Sequence, residues 1–140
     1  MTLVLDASVI LKWLLQDPSA EPDTAKALAI MERVVEGRLE ILQPMHWLAE
    51  VAAVAARLKP DSAARDVELL ASLEFATSDE VSVMRRATIM AIDTNQHLFD
   101  TLYHAVALEH AETTLVTADD RYRRKAEGYG RIRSLHAWTD

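Results

Sequence analysis

Short apolar runs that alternate with helical periodicity predict an α/β fold with a mostly parallel sheet covered on both faces. Three observations carry that reading. Leu3-Val4-Leu5 and the β-branched run from Thr113 to Thr117 have strand length and strand composition. Amphipathic helical spacing fills most of the chain between such runs, so the strands connect through crossovers, and right-handed βαβ units follow. Both runs end next to an acid, Asp6 and Asp119, and ligands of open parallel sheets bind beyond the carboxyl ends of the strands. With 140 residues, half of them hydrophobic, the chain suffices for one domain over residues 1–140 with a substantial core.

In chain order, Leu3 to Leu5 is the first strand, and Ser8 stands as the N-cap of a helix over Val9 to Leu15. Asp17 to Pro22 reads as a turn into a helix from Ala25 to Val35, with Ala27, Leu28, Met31 and Val35 at helical spacing and Gly37 closing it. Glu40-Ile41-Leu42 is a second strand, broken by Pro44 because proline offers no N–H to a ladder. An alanine-rich helix then runs from Met45 to Leu58, with Glu50 in its second turn, and stops at Lys59-Pro60. Ser62 to Ser72 and Asp79 to Thr94 are two more helices, the latter burying Val83, Ala87, Met90 and Ala91. Leu73 to Thr77 between them reads as either loop or short strand. The helical pattern pauses at Asn95 to His97, restarts at Phe99-Asp100 and continues to His110. Beyond the strand at Thr113 to Thr117, Asp119-Asp120 cap a basic helix that precedes Ile132 to Leu135.

Composition removes several classes of function. The chain has no cysteine, which excludes disulfides, thiolate zinc sites and thiol nucleophiles. Three glycines leave no glycine-rich phosphate cradle. The N-terminal apolar stretch is interrupted by Asp6 and Lys12 and reads as neither signal peptide nor membrane span, so a cytoplasmic protein is expected. A net charge of −7 argues against sequence-blind attraction to nucleic acid. Arg121, Arg123, Arg124, Lys125, Arg131 and Arg133, against Glu127 alone, still form a basic strip that would guide a phosphodiester or simply face solvent. The five histidines show no metal-ligand spacing and read as packing or surface residues, with His104, four residues after Asp100, the one to watch. Trp13, Trp47 and Trp138 read as core or interface, Trp13 suiting a dimer contact.

Asp6, Glu50, Asp100 and Asp119 are the candidate site. Each alone has an ordinary explanation as a cap or a polar-face residue. Glu50, however, has Ala49, Val51, Ala52 and Ala53 around it, and an acid in apolar surroundings is costly unless paired or metal-bound. Four carboxylates gathered at one sheet edge repel one another and make sense with a hard divalent cation, Mg²⁺ or Mn²⁺, which would activate water and stabilise charge on a phosphate.

Val4-Leu5-Asp6-Ala7-Ser8, Glu50 on its alanine-rich helix, the run from Phe99-Asp100-Thr101-Leu102-Tyr103-His104 to Glu109, and Leu115-Val116-Thr117-Ala118-Asp119 together resemble PIN-domain nucleases, and among them the VapC-type toxins of prokaryotic toxin–antitoxin pairs. The resemblance spans nearly the whole chain. It implies a three-layer α/β/α sandwich, divalent-metal-dependent cleavage of RNA, a homodimer, and neutralisation by a small antitoxin protein. By that resemblance Asp6, Glu50, Asp100 and Asp119 match the acidic metal-site positions, and Ser8 and Thr117 the supporting hydroxyls. Asp120 competes with Asp119 for the fourth place, since one of the two can serve merely as a cap. Two other functions compete with the nuclease: a non-catalytic module whose acidic groove accepts an arginine-bearing peptide, and a haloacid-dehalogenase-like phosphatase. The latter requires an aspartate two residues after the first, where this chain has Ser8.

Overall fold

The structure, a computed structural model, describes residues 1–17, 19 and 22–139. Five strands, β1 (Thr2–Leu5), β2 (Glu40–Pro44), β3 (Ala76–Ser78), β4 (Thr113–Thr117) and β5 (Ile132–Ser134), form one sheet in the order β3-β2-β1-β4-β5, with every neighbouring pair parallel. The helices among the described residues are α1 (Ala7–Leu15), α2 (Thr24–Val35), α3 (Trp47–Leu58), α4 (Ala63–Ala71), α5 (Val81–Thr94), α6 (Leu98–Glu109) and α7 (Asp120–Ala126), followed by a 3₁₀ turn at Glu127–Tyr129. From β1 the chain moves outward through β2 to β3, then returns past β1 to β4 and β5. Right-handed crossovers therefore place α1 to α4 on one face and α5 to α7 on the other, which is a three-layer α/β/α arrangement. The direction reverses between β1 and β4, and that switch point opens a crevice at the carboxyl ends of those two strands. None of the helices is long and apolar enough to cross a membrane, among the residues described.

Burial follows the layers. Leu3, Val4 and Leu5 are all buried, as are Leu115 and Val116, because the central strands are covered on both faces and need no polar alternation. Helix α6 is buried from Thr101 to Ala107, since it lies across β1, β2 and β4 beneath α5. Helix α5 buries Val83, Ala87 and Met90 of the expected stripe, while Ala91, also expected there, is half-buried.

One polar side chain is built into the core. The ladder between β1 and β2 registers Thr2 with Glu40 and Leu3 with Ile41. Beyond it the fully buried Gln43 amide takes over, accepting from the Leu5 N–H at 2.8 Å and donating to the Leu5 carbonyl at 2.9 Å. The side chain thus replaces a backbone partner just before Asp6, where the strands part. Gln43→Leu keeps the volume but orphans both Leu5 groups, so it is expected to cost about 2–4 kcal/mol. A urea midpoint lowered at constant slope would show this, and an unchanged midpoint would contradict it.

The structure corrects several sequence expectations. Ser8 is not the N-cap of the first helix; Asp6 is, accepting from the Ser8 N–H. Pro44 does not break β2 but ends it, paired with Ser78. The ambiguous segment is a strand, shifted to Ala76–Ser78. Helix α2 buries Thr24, Ala27 and Ile30, while Val35 is 71% exposed, so its core stripe sits differently from the expected one. Its end matches the expectation: Gly37 has φ 74°, its N–H meets the Val34 carbonyl, and the Arg38 N–H meets the Arg33 carbonyl. Trp13 gives no dimer contact: it is 4% exposed, and its indole donates to the Ala27 carbonyl at 2.7 Å, tying α1 to α2. The expected turn at Asp17 to Pro22 falls largely on Pro18, Ala20 and Glu21, outside the described residues.

Candidate functional site

Asp6 ends β1 at the switch point, held from both sides. Its N–H donates to the Val116 carbonyl of β4 at 3.1 Å, and its Oδ2 accepts from the Ser8 N–H at 3.1 Å and the Ser8 hydroxyl at 2.5 Å. Ser8 Oγ accepts in turn from the Ala118 N–H at 3.0 Å. One hydroxyl therefore orients a carboxylate and fixes the loop after β4.

That loop positions Asp119. Buried Thr117 accepts the Asp119 N–H on its Oγ1 at 3.0 Å, and Asp119 Oδ1 caps α7 by accepting from the Tyr122 N–H at 3.0 Å. Asp120 points elsewhere: its carboxylate meets Arg123 and the Ser134 hydroxyl, both at 3.3 Å. Asp119 is among the charges that raise Asp100.

Glu50 and Asp100 come from the helices. Glu50 lies in the first turn of α3, not the second, and is half-buried. Its alanine neighbours do not enclose it: Ala49 and Ala53 are both exposed. Asp100 lies in the first turn of α6, whose N-cap is His97, with His97 Nδ1 accepting from the Phe99 N–H at 3.0 Å. His46 joins the two helices. Its Nε2 donates to the Phe99 carbonyl at 3.0 Å and lies 3.4 Å from Glu50 Oε2, and its ring centroid is 4.9 Å from those of Phe99 and Tyr103.

The electrostatics show that the acids are gathered. Burial, then the charges of Asp100 and Glu50, push Asp6 up to about 6 against the pull of its Ser8 hydrogen bonds. Asp100 is raised by burial and by Glu50 and Asp119, offset partly by His97 and His46. Three carboxylates likewise hold the Tyr103 hydroxyl in its protonated form, after burial itself. Among the described residues, however, no three His, Asp or Glu side chains stand close enough to grip one ion, so the carboxylates are coupled by charge without forming a finished coordination shell. Donor chemistry fits a hard divalent cation: the group is all oxygen, and the second oxygens of Asp6 and Asp119 meet no donor among the described residues.

Sequence reasoning missed Gln43, His46, His97 and Tyr103. The signals were spacings, four residues from His46 to Glu50 and three from Asp100 to Tyr103, each putting two side chains on one helix face. His104 turns away from the site. It is fully buried, its Nε2 donates to the Gly130 carbonyl at 2.7 Å and its Nδ1 accepts from the Tyr122 hydroxyl at 3.0 Å. Burial lowers its pKa, and its role is a structural hydrogen bond. A larger cleft of about 650 Å³ lies at the opposite end of the sheet, lined by Thr2, Glu40, Ala76 and Thr113, and holds none of the four acids.

No curated protein matches this chain. Among solved structures, VapBC2 from Rickettsia felis bound to a DNA fragment from their promoter is similar with a TM-score of 0.69 at 13% identity, covering 96% of this chain and 98% of that chain. At that identity the likeness concerns the fold. The PIN domain family model matches residues 3–128, most of the chain and all four acids, and the protein belongs to the PIN domain family.

Proposed function

We propose that this protein is a metal-dependent endoribonuclease, the toxin of a toxin–antitoxin pair, with residues 1–140 acting as one cytoplasmic nuclease domain. The observation that carries the reading is the convergence of Asp6, Glu50, Asp100 and Asp119 at the switch point, where burial and, after it, the charges of Asp100 and Glu50 lift Asp6 to about 6. Family membership and the likeness to VapBC2 support it. Asp6, Glu50, Asp100 and Asp119 would hold Mg²⁺, or Mn²⁺ in its place. When bound, the cation supplies an acidified water and stabilises charge on the phosphate oxygens.

The chain's own groups orient the parts. Ser8 fixes Asp6, Thr117 shapes the loop that presents Asp119, and α7 turns Arg121, Arg124 and Lys125 outward beside that loop. Arg123 is engaged by Asp120 and Glu127. The three outward cations give the RNA backbone a local attraction that the net charge of −7 does not. Next to His46, an apolar cleft of about 230 Å³ lined by Met45, Val83, Met84, Leu98, Phe99 and Leu102 suits an apolar segment of the antitoxin. A non-catalytic acidic groove is the competing reading, and cleavage separates the two.

The test is purified protein with total RNA, in Mg²⁺ and in chelator, followed by mapping of new 5′ ends. Discrete ends that need Mg²⁺ are expected, lost in Asp119→Ala and kept in Asp120→Ala. Intact RNA under both conditions would favour the binding module, and loss in Asp120→Ala alone would reassign the fourth acid.

A homodimer is part of the reading, and α5 supports it. Opposite its buried stripe, Val81, Met84, Ile89 and Ile92 are 48% to 83% exposed on one helix face, an apolar stripe on both sides of one helix. Ile89→Lys with Ile92→Arg is expected to halve the mass measured by light scattering and leave the fold intact. A wild-type monomer would remove dimerisation from the reading.

A further inference from the structure

We propose that Tyr103 is a positioning residue whose hydroxyl fixes the Glu50 carboxylate in the working site. This rests on the reading of the four acids as a metal-dependent nuclease centre. Tyr103 stands on α6 three residues after Asp100 and is fully buried. Its ring is stacked at a tilt against His46, at 4.9 Å. Its hydroxyl makes no well-formed hydrogen bond among the described residues, although Glu50 acts on it through hydrogen bonding as well as charge. Buried hydroxyls are nearly always paired, so one left without a well-formed bond in a packed interior asks for a partner.

The surroundings say which bond. Burial apart, the charges that act most strongly on this hydroxyl are Glu50, then Asp6 and Asp100, all acceptors. A phenol kept protonated among carboxylates acts only as a donor to them. Asp6 already has Ser8, and Asp100 acts on the hydroxyl less strongly than Glu50 does. Among the described residues, the other polar group beside Glu50 is His46 Nε2 at 3.4 Å, whose proton is directed at the Phe99 carbonyl at 3.0 Å. A three-torsion side chain with so loose an anchor needs a second one to present its oxygen reproducibly. The Tyr103 hydroxyl, on which Glu50 already acts through hydrogen bonding, is that second anchor. His46 Nδ1 is also buried and unpartnered among the described residues.

Tyr103→Phe removes the hydroxyl and keeps the ring that packs the core. The variant is expected to bind Mg²⁺ about fivefold more weakly by calorimetry, and to cut RNA with kcat about tenfold lower and KM unchanged, as for loss of one charge-assisted hydrogen bond. Its melting temperature without metal should be equal to or above wild type, because a buried hydroxyl without a well-formed bond is gone. In a Glu50→Gln background the same substitution should change Mg²⁺ affinity by less than about twofold, the coupling expected of partners. Equal Mg²⁺ affinity and equal kcat in wild type and Tyr103→Phe would overturn this inference and leave the nuclease reading standing. A lower melting temperature with Mg²⁺ affinity unchanged would also overturn it, as a purely structural role. Wild-type protein that binds Mg²⁺ but cuts no RNA would overturn the nuclease reading, while the affinity comparison still decides the role of Tyr103. Wild-type protein that binds no divalent cation overturns both.

Discussion

Asp100→Asn is expected to lower RNA cleavage at saturating Mg²⁺ by about 10²- to 10³-fold while leaving a folded, soluble protein. Asparagine has nearly the shape of aspartate, and the Asp100 carboxylate makes no hydrogen bond within the described residues that the substitution would break. What disappears is the charge. Asp100 sits between Glu50 and Asp119, and both raise its pKa, so it is the member of the group coupled to acids from α3 and from the loop after β4. Losing that charge removes repulsion in the metal-free protein and weakens the hold on a cation. The variant should therefore melt at or slightly above the wild-type temperature without metal, and gain less from Mg²⁺. Single-turnover cleavage of a defined RNA, run beside growth after induced expression, reads both consequences. Cleavage within tenfold of wild type would take Asp100 out of the centre, and a variant that melts far below wild type would show that its role is structural.

The sequence makes the scaffold legible because the pattern of a parallel sheet is coarse. Continuous apolar runs such as Leu3 to Leu5 admit few alternatives when helices separate them, and Asp6 and Asp119 mark the strand ends without further information. Asp119 over Asp120 is not legible in this way. Both are acids at a helix start, and only the turn of the chain through Thr117 sends one toward Asp100 and the other toward Ser134. Glu50 illustrates a different limit. Its alanine neighbours in sequence look like an enclosing wall, yet the helix places Ala49 and Ala53 toward solvent and puts His46 beside it. Gln43 is harder still, because its partner is the backbone of Leu5, 38 residues away, and a glutamine between strand residues carries no mark of that bond. Contacts across the fold, between side chains whose local context is ordinary, are the part that periodicity does not encode.

Asp6→Asn should stabilise the metal-free protein at neutral pH while abolishing most cleavage, and the pH dependence of that gain is the sharper test. The folded-state pKa of Asp6 is about 6 against an ordinary 3.8. A raised folded pKa means that the native state holds this proton more tightly, so the contribution to stability is complete below 3.8, declines as pH rises through about 6, and is absent above it. Ionisation at neutral pH thus costs folding on the order of 2 kcal/mol once the partial solvent access of Asp6 is allowed for. Asparagine keeps the cap, since its side-chain oxygen can still accept from the Ser8 N–H, and it carries no charge. Thermal melts should show the variant above wild type at pH 8, with the gap closing by pH 4. Adding Mg²⁺ at pH 8 should raise wild type toward the variant and move the variant little. Glu80 has the opposite sign: lowered from 4.5 by the Ser78 hydroxyl and His110, it loses its contribution as pH falls below that value. The difference between wild type and variant cancels such groups and isolates Asp6. A gap that stayed constant from pH 4 to pH 8 would show that burial and the neighbouring acids do not raise Asp6, and with that the electrostatic argument for a cation at the end of β1 would fall.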